Sequence, residues 1–342
     1  MEQIIENISP EALVLHKKLS KLDPEEYNQE RCKYLIKIIN EIKKLKKERN
    51  AVILAHNYQR PEIFEVADYI GDSLGLSREA IKVKADVIVF CGVHFMAETA
   101  KILNPNKKVL LPNPRAGCSL ASSITADTLA EKIYELKEKY PDLAVVCYVN
   151  TTADVKALCD ACCTSSNALK IIESLPTNNI LFVPDENLAS YVRKQTKKNI
   201  MAWNGNCYVH HQITPESILN AKKHLPNAKI LVHPECREDV IKIADATLST
   251  EGMVNYAKNS EAKEFVIVTE CGLSDRLLIE VPEKSFYKTC NMCMYMKMII
   301  IEDVLESLKS MKYEIKLPEN IRKDAEKSLL KMFELTDDKV SI

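Results

Sequence analysis

Three apolar runs of this chain end alike. AVILAHNY closes on His56 and Tyr58, AVVCYVN on Tyr148 and Asn150, and AKILVHPE on His233 and Glu235. Each run reads as a buried strand, and residues two apart on a strand face the same side, so each strand presents two hydrogen-bonding groups together. The pairs recur at intervals of 92 and 85 residues. A period of that length, in a chain that alternates short apolar strands with helical segments, predicts threefold duplication of one α/β unit.

The repeat carries further features. Ser165 lies 17 residues after Tyr148 and Thr250 lies 17 after His233, each in a run (CCTSSNAL, TLSTEGMV) that opens a helical segment. Cys207 and Cys293 follow those hydroxyls by 42 and 43 residues. The first repeat is looser, with Cys91 placed 35 residues after His56. In parallel α/β sheets ligands bind beyond the carboxyl ends of the strands. Three units around a pseudo-threefold axis would therefore direct their polar pairs into one central cavity. The expected division is a helical segment at 1–48, α/β repeats at 49–125, 126–212 and 213–298, and C-terminal helices at 299–342. The basic run that ends ERCKYLIKIINEIKKLKKERN reads as a solvated helix face, and Pro318 stands where a helix starts.

Charge excludes some partners. Lys plus Arg number 47 against 48 for Asp plus Glu, and a net charge of −1 gives no reason to expect nucleic acid or an anionic membrane. The opening MEQIIENISPEALVLHKKLSKL interrupts its apolar residues with acids and lysines, unlike a signal peptide. No apolar stretch reaches the roughly 18 residues of a membrane span. The expected location is the cytoplasm, where the twelve cysteines would be free thiols. Most then read as small buried hydrophobes, and position alone promotes particular ones to metal or cluster ligands.

Two CxxC pairs, Cys159–Cys162 and Cys290–Cys293, lie too far apart for a zinc ribbon, and neither has the flanks of a thioredoxin dithiol. Neither GxGxxG nor GxxxxGK[ST] occurs, and only seven glycines are present, which disfavours dinucleotide-binding and P-loop chemistry. A phosphate would have to be held by helix amino termini, hydroxyls and histidines. His210 and His211, close to Cys207, read as site residues.

HNYQ at 56–59, GDS at 71–73, FCGVHFMAETAKIL at 90–103, CYVN at 147–150, TSSNA at 164–168, GNCYVH at 205–210, HPEC at 233–236, STEGM at 249–253 and the CNMC segment follow one another in register. Together, from about residue 50 to 310, they resemble the quinolinate synthase family. The resemblance implies three homologous three-layer αβα domains with short parallel sheets around a pseudo-threefold axis, plus N- and C-terminal helices. It implies one 4Fe-4S cluster held by three cysteines, one per domain, with the fourth iron open. Spacing pairs Cys207 with Cys293 but leaves Cys91 and Cys118 of AGCSLA both open for the first unit, and there the resemblance points to Cys91. Some family members have CxxCxxC with the last cysteine as ligand. Here position 296 is Met, and the segment that follows favours Cys293 over Cys290.

By the same matching, His56, Ser73, Tyr148, Asn150, Ser165, His210, His233, Glu235 and Thr250 fall on substrate-binding positions, and His56, Tyr58, Tyr148, His233 and Glu235 on catalytic ones. The implied reaction condenses iminoaspartate with dihydroxyacetone phosphate to quinolinate, releasing phosphate and water, in de novo NAD biosynthesis. The open iron would act as a Lewis acid, and an iminoaspartate-producing enzyme would be a functional neighbour. The cysteines alone also admit a 4Fe-4S hydro-lyase acting on a hydroxy acid, or a non-catalytic metal or cluster protein.

Overall fold

The computed structural model describes residues 8–336. Each expected repeat forms one four-stranded sheet. The first contains β1 (Ala51–His56), β2 (Tyr69–Gly71), β3 (Val87–Cys91) and β4 (Lys108–Leu110). The second contains β5 (Ala144–Tyr148), β6 (Ala161–Cys163), β7 (Asn179–Val183) and β8 (Asn199–Ala202). The third contains β9 (Lys229–Val232), β10 (Ala246–Thr247), β11 (Glu264–Val268) and β12 (Ser285–Lys288). Their orders, β2-β1-β3-β4, β6-β5-β7-β8 and β10-β9-β11-β12, follow one plan. Every strand pair is parallel. Helices cover both faces of such sheets, which is why the central strands are apolar without alternation: β3, β5 and the last four residues of β7 and β11 are buried throughout.

One tie repeats in all three units. A carboxylate at the start of the second strand accepts the N–H of a residue near the start of the first: Asp68 from Ile53 at 2.7 Å, Asp160 from Val145 at 2.7 Å, and Asp245 from Ile230 at 2.9 Å. The separation is 15 residues each time. Between the tied strands lies a four-residue helix, Pro61–Phe64, Ala153–Lys156 or Glu238–Ile241, that reverses the chain. The duplication is thus written into hydrogen bonds as well as topology.

The terminal helices close the outside. Helix Gln29–Glu48, capped by Asn28, buries Cys32, Leu35, Ile38, Ile39 and Ile42 and turns most of its lysines to solvent. Arg31 pairs with Glu302 of helix Ile301–Ser310 at 3.0 Å, tying the two ends of the chain together. Helix Glu319–Leu335 begins after Pro318 and packs on the second unit, where Ser328 donates to the carbonyl of Lys156 at 2.9 Å. No described helix is long and apolar enough to cross a membrane.

The polar pairs straddle the strand ends instead of lying wholly within them. His56 and Tyr148 are the last residues of β1 and β5, and His233 follows β9, so Tyr58, Asn150 and Glu235 stand in the loops beyond. Facing on the same side is set there by the turn rather than by the strand pleat.

Candidate active site and metal centre

One buried cavity receives all three polar pairs: His56 and Tyr58, Tyr148 and Asn150, His233 and Glu235. Ser73, Ser165 and Thr250 reach it too, as do His210, Cys207 and Cys293. Ser73 and Thr250 are the first residues of helices Ser73–Lys82 and Thr250–Asn259, capped by Asp72 and Ser249. Ser165 differs, since its helix, Ala168–Ser174, begins after Asn167 and leaves Ser165 in the preceding turn.

The hydrogen-bond pattern sets the tautomer of His56. The N–H of Tyr58 donates to Nδ1 of His56 at 3.2 Å, and the N–H of Glu235 donates to Nδ1 of His233 at 3.4 Å. In a neutral ring whose Nδ1 accepts, as in His56, the proton is on Nε2, whereas Nδ1 of His233 also lies 3.3 Å from the carboxylate oxygen Oε2 of Glu235, which can only accept. Burial, with His233, Arg276 and Lys297 adding to it, pushes His56 down to about 3, so its ring is neutral at ordinary pH. Burial also lowers His233.

A second chain of contacts joins all three units. Thr269, just beyond β11, lies 2.7 Å from the hydroxyl of Tyr58 and 2.8 Å from Nε2 of His210. Nδ1 of His210 lies 2.9 Å from Oε2 of Glu235, close but out of line for a hydrogen bond, and the rings of His210 and His233 stack with centroids 4.6 Å apart. Burial alone would raise the carboxyl of Glu235, but His210 and His233 outweigh it and hold it below the usual carboxylate range. Its Oε1 and the Oδ1 of Asn150 are buried acceptors with no hydrogen-bond partner among the described residues. Acceptors left that way in a cavity wall are shaped for donors on a ligand.

Cys91 departs from expectation. It ends β3 fully buried and does not line the cavity, and the charges acting on it, Lys46 and Asp303, belong to the terminal helices. Cys118 lines the cavity beside Cys207 and Cys293. The repeat explains the correction. After the third strand of each sheet a backbone N–H donates across to a later carbonyl: His94 to Ala116 at 2.8 Å, Glu186 to Gly205 at 2.8 Å, Cys271 to Asn291 at 3.3 Å. Two residues beyond those carbonyls stand Cys118, Cys207 and Cys293, so these are the structurally equivalent thiols. A sequence signal for this existed: Ser73 lies 17 residues after His56, like the other hydroxyls, and Cys118 lies 45 beyond Ser73, against 42 and 43 in the other units.

Three thiols from three units on one wall suit a cluster with three protein ligands, and among the described residues no fourth cysteine lines this cavity. Burial pushes the Cys118 thiol up to about 12 and raises those of Cys207 and Cys293, with Cys293 adding to the shift of Cys118 and Cys118 to that of Cys207. Such a set carries its protons until a metal displaces them. Cys207, His210 and Glu235 also bring ligand atoms within 4.8 Å of one another, a spacing that suits a single ion. Cys290 takes neither role, because it is joined to Cys271 in a disulfide. Bridging of Glu270 to Asn291 sets those neighbours side by side, with Cα atoms 5.2 Å apart, and this pair departs from the expectation of free thiols throughout.

Sequence reasoning missed several acids and hydroxyls here. Thr269 is one. Asp185 and Glu270 are others: buried carboxylates that accept the N–H of Cys207 at 3.2 Å and of Cys293 at 3.1 Å. A lone acid after an apolar strand carries no local mark of such a task.

The family model for quinolinate synthetase A protein matches residues 40–334. A quinolinate synthase of Thermodesulfovibrio yellowstonii is 53% identical over 300 residues, covering 87% of this chain and 98% of its own. Those of Methanosarcina barkeri and Clostridium kluyveri are each 50% identical, over 297 and 301 residues, covering 86% and 87% of this chain and 96% and 98% of theirs.

Proposed function

This chain belongs to the quinolinate synthetase A family, and on that premise we propose that it condenses iminoaspartate with dihydroxyacetone phosphate to quinolinate, with release of phosphate and water, as a step of NAD biosynthesis in the cytoplasm. The observation that carries the reading is the convergence of three repeated polar pairs and three equivalent thiols on one buried cavity. An enzyme that releases iminoaspartate would be its functional neighbour.

The site's own groups divide the work by chemistry. Iminoaspartate carries two carboxylates, for which the hydroxyls of Ser73, Ser165 and Thr250 are suitable donors, two of them at helix amino termini where the dipole favours anions. Joining its carbon to the triose needs a base, and Glu235 is ionised with one oxygen unengaged. Phosphate loss, ring closure and dehydration need acids. The hydroxyls of Tyr58 and Tyr148, which burial keeps protonated, would supply protons, and the neutral Nε2–H of His56 would donate a hydrogen bond to the departing oxygen. Thr269 connects Tyr58 with His210, so a proton given up at the phenol has a hydroxyl and an imidazole to draw on. The free acceptor of Asn150 would hold the substrate's imine or hydroxyl hydrogen. Cys118, Cys207 and Cys293 would hold a 4Fe-4S cluster, whose iron without a thiolate supplies Lewis acidity toward substrate oxygen.

The test is product detection. Protein purified without oxygen is incubated with oxaloacetate, ammonia and dihydroxyacetone phosphate, and quinolinate is sought by chromatography. Quinolinate formed in proportion to iron content supports the reading. Dehydration of a hydroxy acid in place of condensation would favour the hydro-lyase alternative, and a single bound ion with no turnover would favour a non-catalytic metal protein.

A further inference from the structure

Thr250 is held from behind by two residues that do not line the cavity. Nδ2 of Asn57 donates to Oγ1 of Thr250 at 2.9 Å, and Nη1 of Arg276 donates to Oδ1 of the same Asn57. All three side chains are buried. We propose that Asn57 and Arg276 are positioning residues that set the Thr250 hydroxyl as a hydrogen-bond donor to a substrate carboxylate. This rests on the reading of the cavity as an iminoaspartate site.

The direction of every bond in the relay follows from chemistry. A guanidinium has donors only, so the atom of Asn57 that faces Arg276 is the amide oxygen, and the amide is not free to flip. Its NH2 must then face Thr250. An NH2 only donates, so Oγ1 of Thr250 accepts there, and its own hydrogen is left for the cavity. Without the relay the hydroxyl would rotate and accept from the wall as readily as it donates, a poor match for a carboxylate. Arg276 is itself held by Glu251 at 2.8 Å and Glu280 at 2.6 Å, which offset part of the charge felt at His56, and it reaches Thr250 through Asn57. Asn57 lies between His56 and Tyr58 of the first unit, whereas Thr250 and Arg276 belong to the third. The relay therefore also sets the register of one unit on the other where the anion is expected to bind.

The experiment uses oxygen-free holoenzyme and the variants Arg276→Met, Asn57→Asp and Thr250→Val, singly and with Thr250→Val as background. Steady-state constants are measured with iminoaspartate formed from oxaloacetate and ammonia, and quinolinate binding is measured by calorimetry. Each single variant should raise the KM for iminoaspartate and the Kd for quinolinate about tenfold, the size of one hydrogen bond to a charged group. Its kcat, its KM for dihydroxyacetone phosphate and its iron content should stay within about twofold, and in the Thr250→Val background the other two changes should add nothing. Asn57→Asp is the discriminating variant. A carboxylate there binds Arg276 more strongly, so a scaffolding role predicts an unchanged KM and an unchanged or raised melting temperature. It also accepts the Thr250 proton and turns it from the cavity, so the relay predicts the tenfold loss in a stable protein. Unchanged KM in Asn57→Asp while Thr250→Val is impaired, or additive losses in the double variants, would overturn the proposal. Should Arg276→Met fail to fold, Asn57→Asp and Thr250→Val decide alone. Wild-type turnover judges the functional reading separately, and a wild type that neither turns over nor binds quinolinate removes both.

Discussion

The backbone N–H of Cys293 donates to Oε1 of Glu270 at 3.1 Å, as that of Cys207 does to Oδ2 of Asp185 at 3.2 Å. Both carboxylates stand two residues beyond the third strand of their sheet, and Val93 occupies the corresponding place in the first unit. Oε2 of Glu270 also accepts from Gly272 at 2.6 Å, and Nζ of Lys297 lies 3.5 Å from Oε1. Glu270→Ala should strip two buried amides of their acceptor and leave Lys297 without its carboxylate. The expected loss is about 3 kcal/mol, read from urea unfolding, with iron content falling because the Cys293 loop loosens. Glu270→Gln, which keeps the volume and one acceptor, should lose less of both. An unchanged midpoint with full iron in the alanine variant would show that the carboxylate does not hold that loop.

Iron and acid-labile sulfide analysis discriminates among the cysteines. Cys118→Ser, Cys207→Ser and Cys293→Ser should each lose most of both. Cys91→Ser should keep them, at a stability cost of about 1 kcal/mol for a hydroxyl placed in the buried end of β3. Cys290→Ser breaks the link to Cys271 without touching the cavity and should also keep its iron. A full complement in Cys118→Ser with loss in Cys91→Ser would reverse the assignment.

His56 should make the fold less stable as the solution is acidified from about pH 6.5, against the buried carboxyls of Asp185 and Glu270, which burial raises and which act in the opposite sense. The unfolded chain protonates the His56 ring near the ordinary imidazole value of 6.5, whereas burial holds the folded ring neutral to about 3. In that window the unfolded state binds the extra proton, so unfolding becomes easier by about 1.4 kcal/mol per pH unit for such a group. His233 acts in the same sense. Glu235 is lowered in the fold, so its contribution is present above the ordinary glutamate value of 4.5 and is lost only below it. Urea midpoints at pH 7, 6 and 5 should therefore fall more, or rise less, in the wild type than in His56→Gln. Equal slopes in the two proteins would mean that His56 is not held neutral.

What was legible in the chain follows from locality. Continuous apolar strands such as AVVCY announce parallel sheets covered on both faces, and the polar residues that end them recur with the unit, so the sheets and the cavity they share could be anticipated. Cys91 misled because it sits in a motif at a strand end, while the equivalence that matters is carried by a loop reaching back across the third strand, from Ala116 to His94. Thr269 and Arg276 were out of reach for a different reason. Their partners Tyr58 and Asn57 lie 211 and 219 residues away, in another unit, and only the packing of units makes the contact. Ser165 shows the limit of analogy within a repeat, since the same 17-residue step reaches a helix start in the third unit and a turn in the second.

Glu235 decides whether the cavity performs carbon acid chemistry. It is buried beside two imidazoles, one oxygen is engaged near His210 and His233, and the other has no partner. A carboxylate held below its usual pKa is a weak base in isolation, but transfer into a buried site where a C–H proton is presented to an unengaged oxygen removes the competition of water. Glu235→Gln preserves shape and the backbone contact to His233 while removing the charge and leaving an amide. The variant should bind iron as the wild type does and lose at least about 100-fold in the rate of quinolinate formation, with the loss in kcat rather than in KM. Histidine titration followed by nuclear magnetic resonance should show His233 shifting to lower pKa once the neighbouring negative charge is gone. Wild-type turnover in Glu235→Gln, with the His233 shift observed, would leave the carboxylate an electrostatic partner of that imidazole and move the base to another residue of the cavity.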